Sequence, residues 1–359
     1  MADKQLFGVF SPILGEKKNF PTILLDKVIQ TENMDIVRKY GEVHRRQMRE
    51  PDMLSGLGVK SPAPDTFPIL HYHTFIKRTT AFQYVLAFTK AHIYCWNTDT
   101  LVWDEKFECS ADCTEWDTVT YNDHVIATNN VDKVLKWDST GDFEPLDTVN
   151  GIEISTGVYL TKAKYVTTFE NFLQLGYTYE GGVSYPQRIR WSAIGEGEVT
   201  GKWMTGDAGS KETEGSDFIV GFKIYSGKLI IFKEKTRIVQ SLVLSSEVWT
   251  WVVLPGAIGN LSNHSIVEDP DGRVYWLAND LTIREMEMGE ISHDIDPIVK
   301  LIEPSSAHLV YGTFIDETGE IWFSIPYQNS LNNKVLTYKN GSWGELNLSI
   351  PAFGSYKEA

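Results

Sequence analysis

His71 and His73, in the run HYH, are the first pair in this chain whose types and spacing could do chemistry. On a strand, alternate residues face the same side, so both imidazoles would point one way. That makes two ligands of a metal site, which needs at least three. His44, His92, His124, His264, His293 and His308 are scattered and read as surface or packing histidines. Cys109 and Cys113 form C-x3-C, which is not a usual zinc spacing, and no second pair accompanies them. Asp269, Asp271 and Asp316 lie in DPDGRVYW and DETGEIWF, where a carboxylate could act as an acid or base or simply cap a turn. The stretch GDAGSKETEGSD at 206–217 is Gly-rich but acidic, lacks the lysine pattern of a phosphate-binding loop, and reads as an exposed, mobile loop. No H-E-x-x-H or G-x-S-x-G occurs. The expectation is a protein with no catalytic, metal or cofactor site.

Charge and composition narrow the classes further. Of 359 residues, 11 are Trp and 16 Tyr, which suits half-buried pleated surfaces and argues against disorder. The net charge of −15 excludes a tight grip on phosphate backbones, although a like-charged surface would let nucleic acid slide past. Arg45, Arg46 and Arg49 form the one basic block, a possible docking patch for an acidic partner. Three cysteines argue against a disulfide framework and for a reducing cytoplasm. The first residues lack the pattern of a signal peptide, and no apolar run is long enough to span a bilayer.

The elements that must position these residues come from a repeat. A turn followed by a strand-like run recurs at Ala81, Asp123, Asn171, Gly227, Gly272 and Gly319, every 42 to 56 residues. Each turn is preceded by an apolar run and followed by a second strand, such as HIYCWNTD or KVLTYKNG. Most units then close on an aromatic: Trp103, Phe143, Trp203, Trp249 or Trp343. Three or four strands at this period predict an all-β chain, a β-propeller of about six four-stranded blades, over a two-sheet sandwich. The blades fall at about 68–112, 113–153, 154–205, 216–256, 262–300 and 306–350, within a propeller domain of 61–359. Asp123, Asn171, Gly227, Gly272 and Gly319 are the structural turns, since such hairpins need φ > 0.

Residues 1–60 stand outside the repeat. PTILLDKVI is too apolar for a free tail, so the segment is expected to be a docking arm. Ile36 and Val43 flank Gly41 at strand-like positions and predict a hairpin there. Either that hairpin or the tail LNLSIPAFG could close the propeller.

Two resemblances follow from these phrases. DPDGRVYW and DETGEIWF resemble the D-x-x-G-x-(Ile/Val)-Trp-Phe phrase of lactonase- and streptogramin-lyase-like propellers. More specific are Asn129-Asn130-Val131-Asp132 ahead of Lys136-Trp137-Asp138, then Arg190-Trp191-Ser192, then Phe232-Lys233-Glu234. Their order, from about Phe75 to Gln240, resembles propeller proteins of tailed bacteriophages, among them the packaged-DNA stabilisation proteins of the tail hub below the portal. That resemblance implies a structural virion protein, a head–tail connector or tail-hub component, with no catalytic residue to carry over. It implies portal, adaptor or tail proteins as partners, several copies in a ring, no membrane, and a location in the virion after assembly in the host cytoplasm. Exposed loops at 179–187, 208–216 and 328–333 would serve protein contacts. The alternatives are a receptor- or carbohydrate-binding propeller, which predicts exposed tryptophan on one face, and a lyase- or lactonase-like enzyme.

Overall fold

The structure, a computed structural model, describes residues 34–37, 42–45, 64–243 and 247–354. Six antiparallel sheets follow one another along the chain, and in each the strands are ordered as in the sequence. The fold is a β-propeller of six blades. The first blade holds Ile69–Ile76, Gln83–Thr89, His92–Asn97 and Val102–Glu108, and the second Asp117–Tyr121, His124–Thr128, Leu135–Trp137 and Glu144–Pro145. The third holds Ile152–Ser155, Val158–Phe169, Phe172–Glu180, Val183–Trp191 and Gly209–Glu212. The fourth holds Ile219–Tyr225, Lys228–Lys233, Arg237–Leu242 and Trp249–Val253. Short strands between Val267 and Glu290 make the fifth, and Tyr311–Ile315, Glu320–Ile325, Lys334–Lys339 and Ser342–Leu346 the sixth.

Middle strands are apolar without alternation because a blade is covered on both faces. Val85–Thr89, Leu229–Lys233 and Val274–Leu277 are buried throughout. Blades one to four belong to one compact unit, and blades five and six to another. In the first unit, the core lies between successive blades. Phe75, Leu86 and Phe88 meet Trp116, Val125 and Trp137, while Tyr121 and Ile126 meet Leu160, Val166 and Trp203. Phe172 and Trp191 meet Phe222, Ile231 and Trp249. Each such side chain contributes about 1.5–3 kcal/mol by leaving water. Polar atoms lock the layers: Trp116 Nε1 donates to Thr89 O at 2.8 Å, across the first pair of blades. In the second unit, Trp343 Nε1 donates to Ile291 O at 2.9 Å, and His264 stacks on Tyr311 with centroids 4.7 Å apart.

Ala81, Asp123, Asn171, Gly227, Gly272 and Gly319 all lie between the first two long strands of a blade, with φ between 55° and 78°. At Gly272 (φ 78°) a Cβ would meet nothing within 4 Å, so substitution there is opposed by backbone strain alone. Gly272→Val and Gly319→Val are each expected to lower stability by about 1–2 kcal/mol. Thermal melts check this, and unchanged melting temperatures in both variants would remove the positive-φ requirement.

The third blade departs from expectation. It has five strands rather than four and runs from Ile152 to Glu212, past the expected end at 205. Ile152–Ser155 adds to the outside of Val158–Phe169, whose 12 residues outrun an ordinary blade strand. Trp203 is not in the closing strand. It sits, buried, in an insertion between Trp191 and Gly209, with Nε1 donating to Gly197 O at 2.9 Å. The closing strand is instead Gly209–Glu212, inside the stretch expected to be a loop. Its backbone pairs with Arg188–Trp191, which would otherwise leave its hydrogen-bonding groups unpaired. Likewise 179–187 is not a loop but a hairpin that turns at Gly181-Gly182. Residues 328–333 do lie outside strands.

In the N-terminal segment, Met34–Val37 and Glu42–Arg45 pair as a hairpin with Ile36 opposite Val43. Arg45 ends its second strand; Arg46 and Arg49 lie outside the described residues, as does most of the expected docking arm 1–60. All four strands of the sixth blade come from Tyr311–Leu346, so neither that hairpin nor the tail supplies one of them.

Candidate functional site

The first strands of blades one and two bring His71 and His73 against Thr118 and Thr120. His71 Nε2 and His73 Nδ1 lie 2.7 and 2.8 Å from Thr118 Oγ1, and His73 Nε2 lies 2.9 Å from Thr120 Oγ1. One hydroxyl donates to one ring nitrogen and accepts from the other, so the two rings share Thr118 rather than a metal ion. Burial pushes the His73 pKa down to about 4, which keeps the ring neutral at pH 7.

Next to Thr118 stands Asp117, which sequence reasoning missed. Withdrawal from water pushes its pKa up to about 7, and the nearby Glu115 charge adds to this. Hydrogen bonds from the N–H groups of Val166 (2.8 Å) and Thr118 (3.1 Å), and from Asn263, pull the other way. Glu115 is paired with Lys164 at 2.6 Å. A carboxyl group that titrates near neutrality is a common catalytic signature. Here, however, its oxygens accept backbone N–H groups and tie the second blade to the third.

The turn carboxylates do structural work. Asp269 Oδ1 accepts the N–H groups of Asp271 and Arg273, both at 3.0 Å, and Oδ2 accepts Arg273 Nε at 2.8 Å and the Tyr275 hydroxyl at 3.2 Å. Burial, followed by the charge of Asp269, raises the Tyr275 pKa. Asp269, Asp271, Arg273, Tyr275 and Tyr338 line a cavity of about 240 Å³, whereas Asp316 is exposed on its turn. Cys109, whose pKa is raised by its hydrogen bond with Cys113 and then by burial, is no ready thiolate. Glu290, His293 and Asp296 place ligand atoms within 4.8 Å of one another, but Lys300 Nζ already sits 2.5 Å from Asp296 Oδ2.

A groove of about 420 Å³ opens between the third and fourth blades. Trp191, Trp249 and Trp251 form its aromatic walls, with ring centroids 6.3 Å (Trp191–Trp249) and 6.2 Å (Trp191–Trp251) apart. Asp207, Ser210, Lys211 and Glu247 complete the rim. Trp191 is far in the sequence from Trp249 and Trp251; it was singled out within a resembling phrase and Trp249 as a closing aromatic, but nothing in the sequence brought the three together. Of the three, Trp251 is half-buried, whereas Trp191 and Trp249 are buried.

The phrases that resemble phage propellers build blades. Asn129 Oδ1 accepts the N–H groups of Val131 (2.9 Å) and Asp132 (2.8 Å), and its Nδ2 donates to Asp132 Oδ2 at 2.9 Å. Trp137 stacks on Phe143, with centroids 5.6 Å apart at 15°. Arg190 grips Glu180 with two donors at 3.0 and 2.9 Å; burial pushes the Glu180 carboxyl up, but these bonds and the Arg190 charge outweigh it and hold the group below its usual range. Lys233, fully buried, pairs with Asp217 at 2.9 Å and donates to Glu214 O at 2.6 Å.

This site defines a β-propeller whose functional groups are spread along its blades. No family model and no curated protein match the chain. Among solved structures it is similar to the extracellular domain of a putative hybrid two-component system from B. thetaiotaomicron, at 12% identity and a TM-score of 0.42. That match covers 68% of this chain and 30% of the other, so the chain spans less than a third of that neighbour. It is also similar to the computationally designed protein Ika8, at 10% identity and a TM-score of 0.44, over 83% of this chain and 93% of that one. YCF48 bound to D1 peptide matches at 12% identity and a TM-score of 0.44, covering 79% and 83%.

Proposed function

We propose that this chain is a non-catalytic virion protein of a tailed phage, a head–tail connector or tail-hub propeller. It binds neighbouring portal, adaptor or tail proteins, in several copies around a ring, and helps retain or conduct packaged DNA. The observation that supports this reading is the use made of the resembling phrases. Asn129, Asp132, Trp137, Arg190 and Lys233 are all engaged in turns, stacking or ion pairs that build blades. That is what a scaffold requires and what a catalytic group cannot afford. The net charge of −15 suits a surface past which DNA moves without adhering.

Residues 1–60 are the docking element of this reading, by virtue of their apolar run and of Arg45, Arg46 and Arg49. A chain starting at Ser61 is expected to fold, with an unchanged β-type circular dichroism spectrum, and to fail to enter particles. Mass spectrometry of purified particles, and electron microscopy of particles carrying the full chain, provide the readout. Absence of the full chain from particles would refute the virion role. Normal incorporation of the shortened chain would refute the docking role.

A further inference from the structure

The outer edge of a blade is a row of backbone N–H and C=O groups with no strand beyond it, and proteins guard such rows with charge, proline or brevity. The outermost strands of five blades follow that rule. Val102–Glu108 of the first carries Asp104, Glu105, Lys106 and Glu108. Glu144–Pro145 of the second and Gly289–Glu290 of the fifth are two residues long. Gly209–Glu212 of the third has Lys211 and Glu212, and Ser342–Leu346 of the sixth leaves no apolar side chain exposed. Trp249–Val253, the outermost strand of the fourth, is unguarded. Its sequence, WTWVV, has no charge and no proline. Val252 is 59% and Val253 47% exposed, and Trp251 is half-buried. Among the described residues its one strand partner is Arg237–Leu242. Aromatic and β-branched residues on an open edge favour pairing with a further strand.

We infer that this free edge is the contact between two copies of the chain, paired antiparallel about a two-fold axis at Trp251. Charge selects the occupant. Each copy carries a net charge of −15, so two copies repel unless the surfaces that touch are uncharged. Among the six outermost strands described, Trp249–Val253 is the one without a charged residue. A two-fold contact sets one patch against itself, so the patch must complement its own copy. An axis normal to the sheet keeps every residue on its own face, which restricts pairing to positions of like parity. Centred on Trp251, the pairing sets Trp251 against itself and Thr250 against Val252 in both directions. Opposed aromatic and β-branched pairs stabilise antiparallel sheets, and here no like charges face each other. Glu247 and Pro255 lie equally far on either side of Trp251, so a displaced register loses pairs at one end. Two four-stranded sheets thereby become one continuous sheet. The contact is a property of the free protein in solution and stands apart from the virion role.

The test is sedimentation velocity on the full-length protein over a dilution series. A species of twice the chain mass that dissociates on dilution is expected. Val252→Lys puts on this edge the charge that guards natural edges, at an exposed side chain. It is expected to weaken the dimer at least tenfold and to leave the melting temperature of the dilute protein unchanged. The added positive charge makes the chain less negative, so loss of the dimer would not come from general repulsion. Val149→Lys, at a 77% exposed valine before the third blade, makes the same charge change and is expected to leave the dimer intact. Thr250→Cys combined with Val252→Cys is expected to cross-link two copies on oxidation, with residues 250 and 252 joined in the linked peptide found by mass spectrometry. A single species of one chain mass at every concentration would overturn the proposal. So would a dimer indifferent to Val252→Lys, a dimer lost equally in Val149→Lys, or a dimer that forms no cross-link between positions 250 and 252.

Discussion

Asp217→Ala is expected to lower the melting temperature by roughly 10 °C. Its partner, Lys233, is 0% exposed, and the two side chains meet at 2.9 Å. Removing the carboxylate leaves a buried ammonium with only Glu214 O to accept from it. Breaking such a pair from one side costs about 3–5 kcal/mol, because the desolvated charge is left uncompensated. Replacing both partners, as Lys233→Met with Asp217→Leu, is expected to cost less than the single change, since no charge then remains buried. The pH dependence has a definite sign. Burial opposes ionisation of Asp217, but hydrogen bonds from Lys233 and Thr236 outweigh it and hold the pKa below its usual value. A depressed carboxyl pKa contributes stability above the unfolded value near 4, and that stability is lost as pH falls through the folded value. The gap between the unaltered protein and Asp217→Ala is therefore widest at neutral pH and closes in acid. A shift under 2 °C at pH 7 would contradict the buried pair.

Asp117→Asn is expected to behave in the opposite sense. The folded pKa of Asp117 is raised to about 7. A raised carboxyl pKa means stability that is fully present below the unfolded value near 4 and lost as pH rises through about 7. The asparagine escapes that loss. It gives up one acceptor among the bonds to Val166, Thr118 and Asn263, at a cost that does not vary with pH. Relative to the unaltered protein, the variant should gain about 2–3 kcal/mol between pH 4 and pH 7, after allowance for solvent screening, and then level off. Denaturant titrations at pH 4.5, 6 and 8 measure this. A difference that stays constant across the three would show that Asp117 ionises as an ordinary carboxylate.

Several features of the fold could be read from the chain because their causes are local. A turn at positive φ favours Gly, Asn or Asp, so Asp123, Asn171, Gly227, Gly272 and Gly319 stand out as letters. The hairpin with Ile36 opposite Val43 was legible because those two apolar residues flank Gly41 at strand-like positions. The strand Gly209–Glu212 was not. GSKE has a poor strand composition, and what makes it a strand is the open edge offered by Arg188–Trp191. Trp203 misled because an aromatic after a turn looks the same whether it ends in a closing strand or in an insertion packed beside Tyr121 and Leu160.

By itself, then, the sequence determined the period, the number of blades and the places where each blade turns back. An unbroken apolar middle strand requires cover on both faces, and that requirement is met by stacking identical units. Only the tertiary structure decided which polar residues meet. His71 and His73 could have shared a metal ion, but Thr118 on the next blade intervenes. Lys233 finds Asp217, Asp117 finds the Val166 N–H, and Trp191 finds Trp251, in each case between strands or blades whose separation along the chain carries no pattern. Pairings of this kind depend on register and on the angle at which blades face each other. Neither is written in the spacing of residues along one strand, because a shift of one position moves every side chain to the other face.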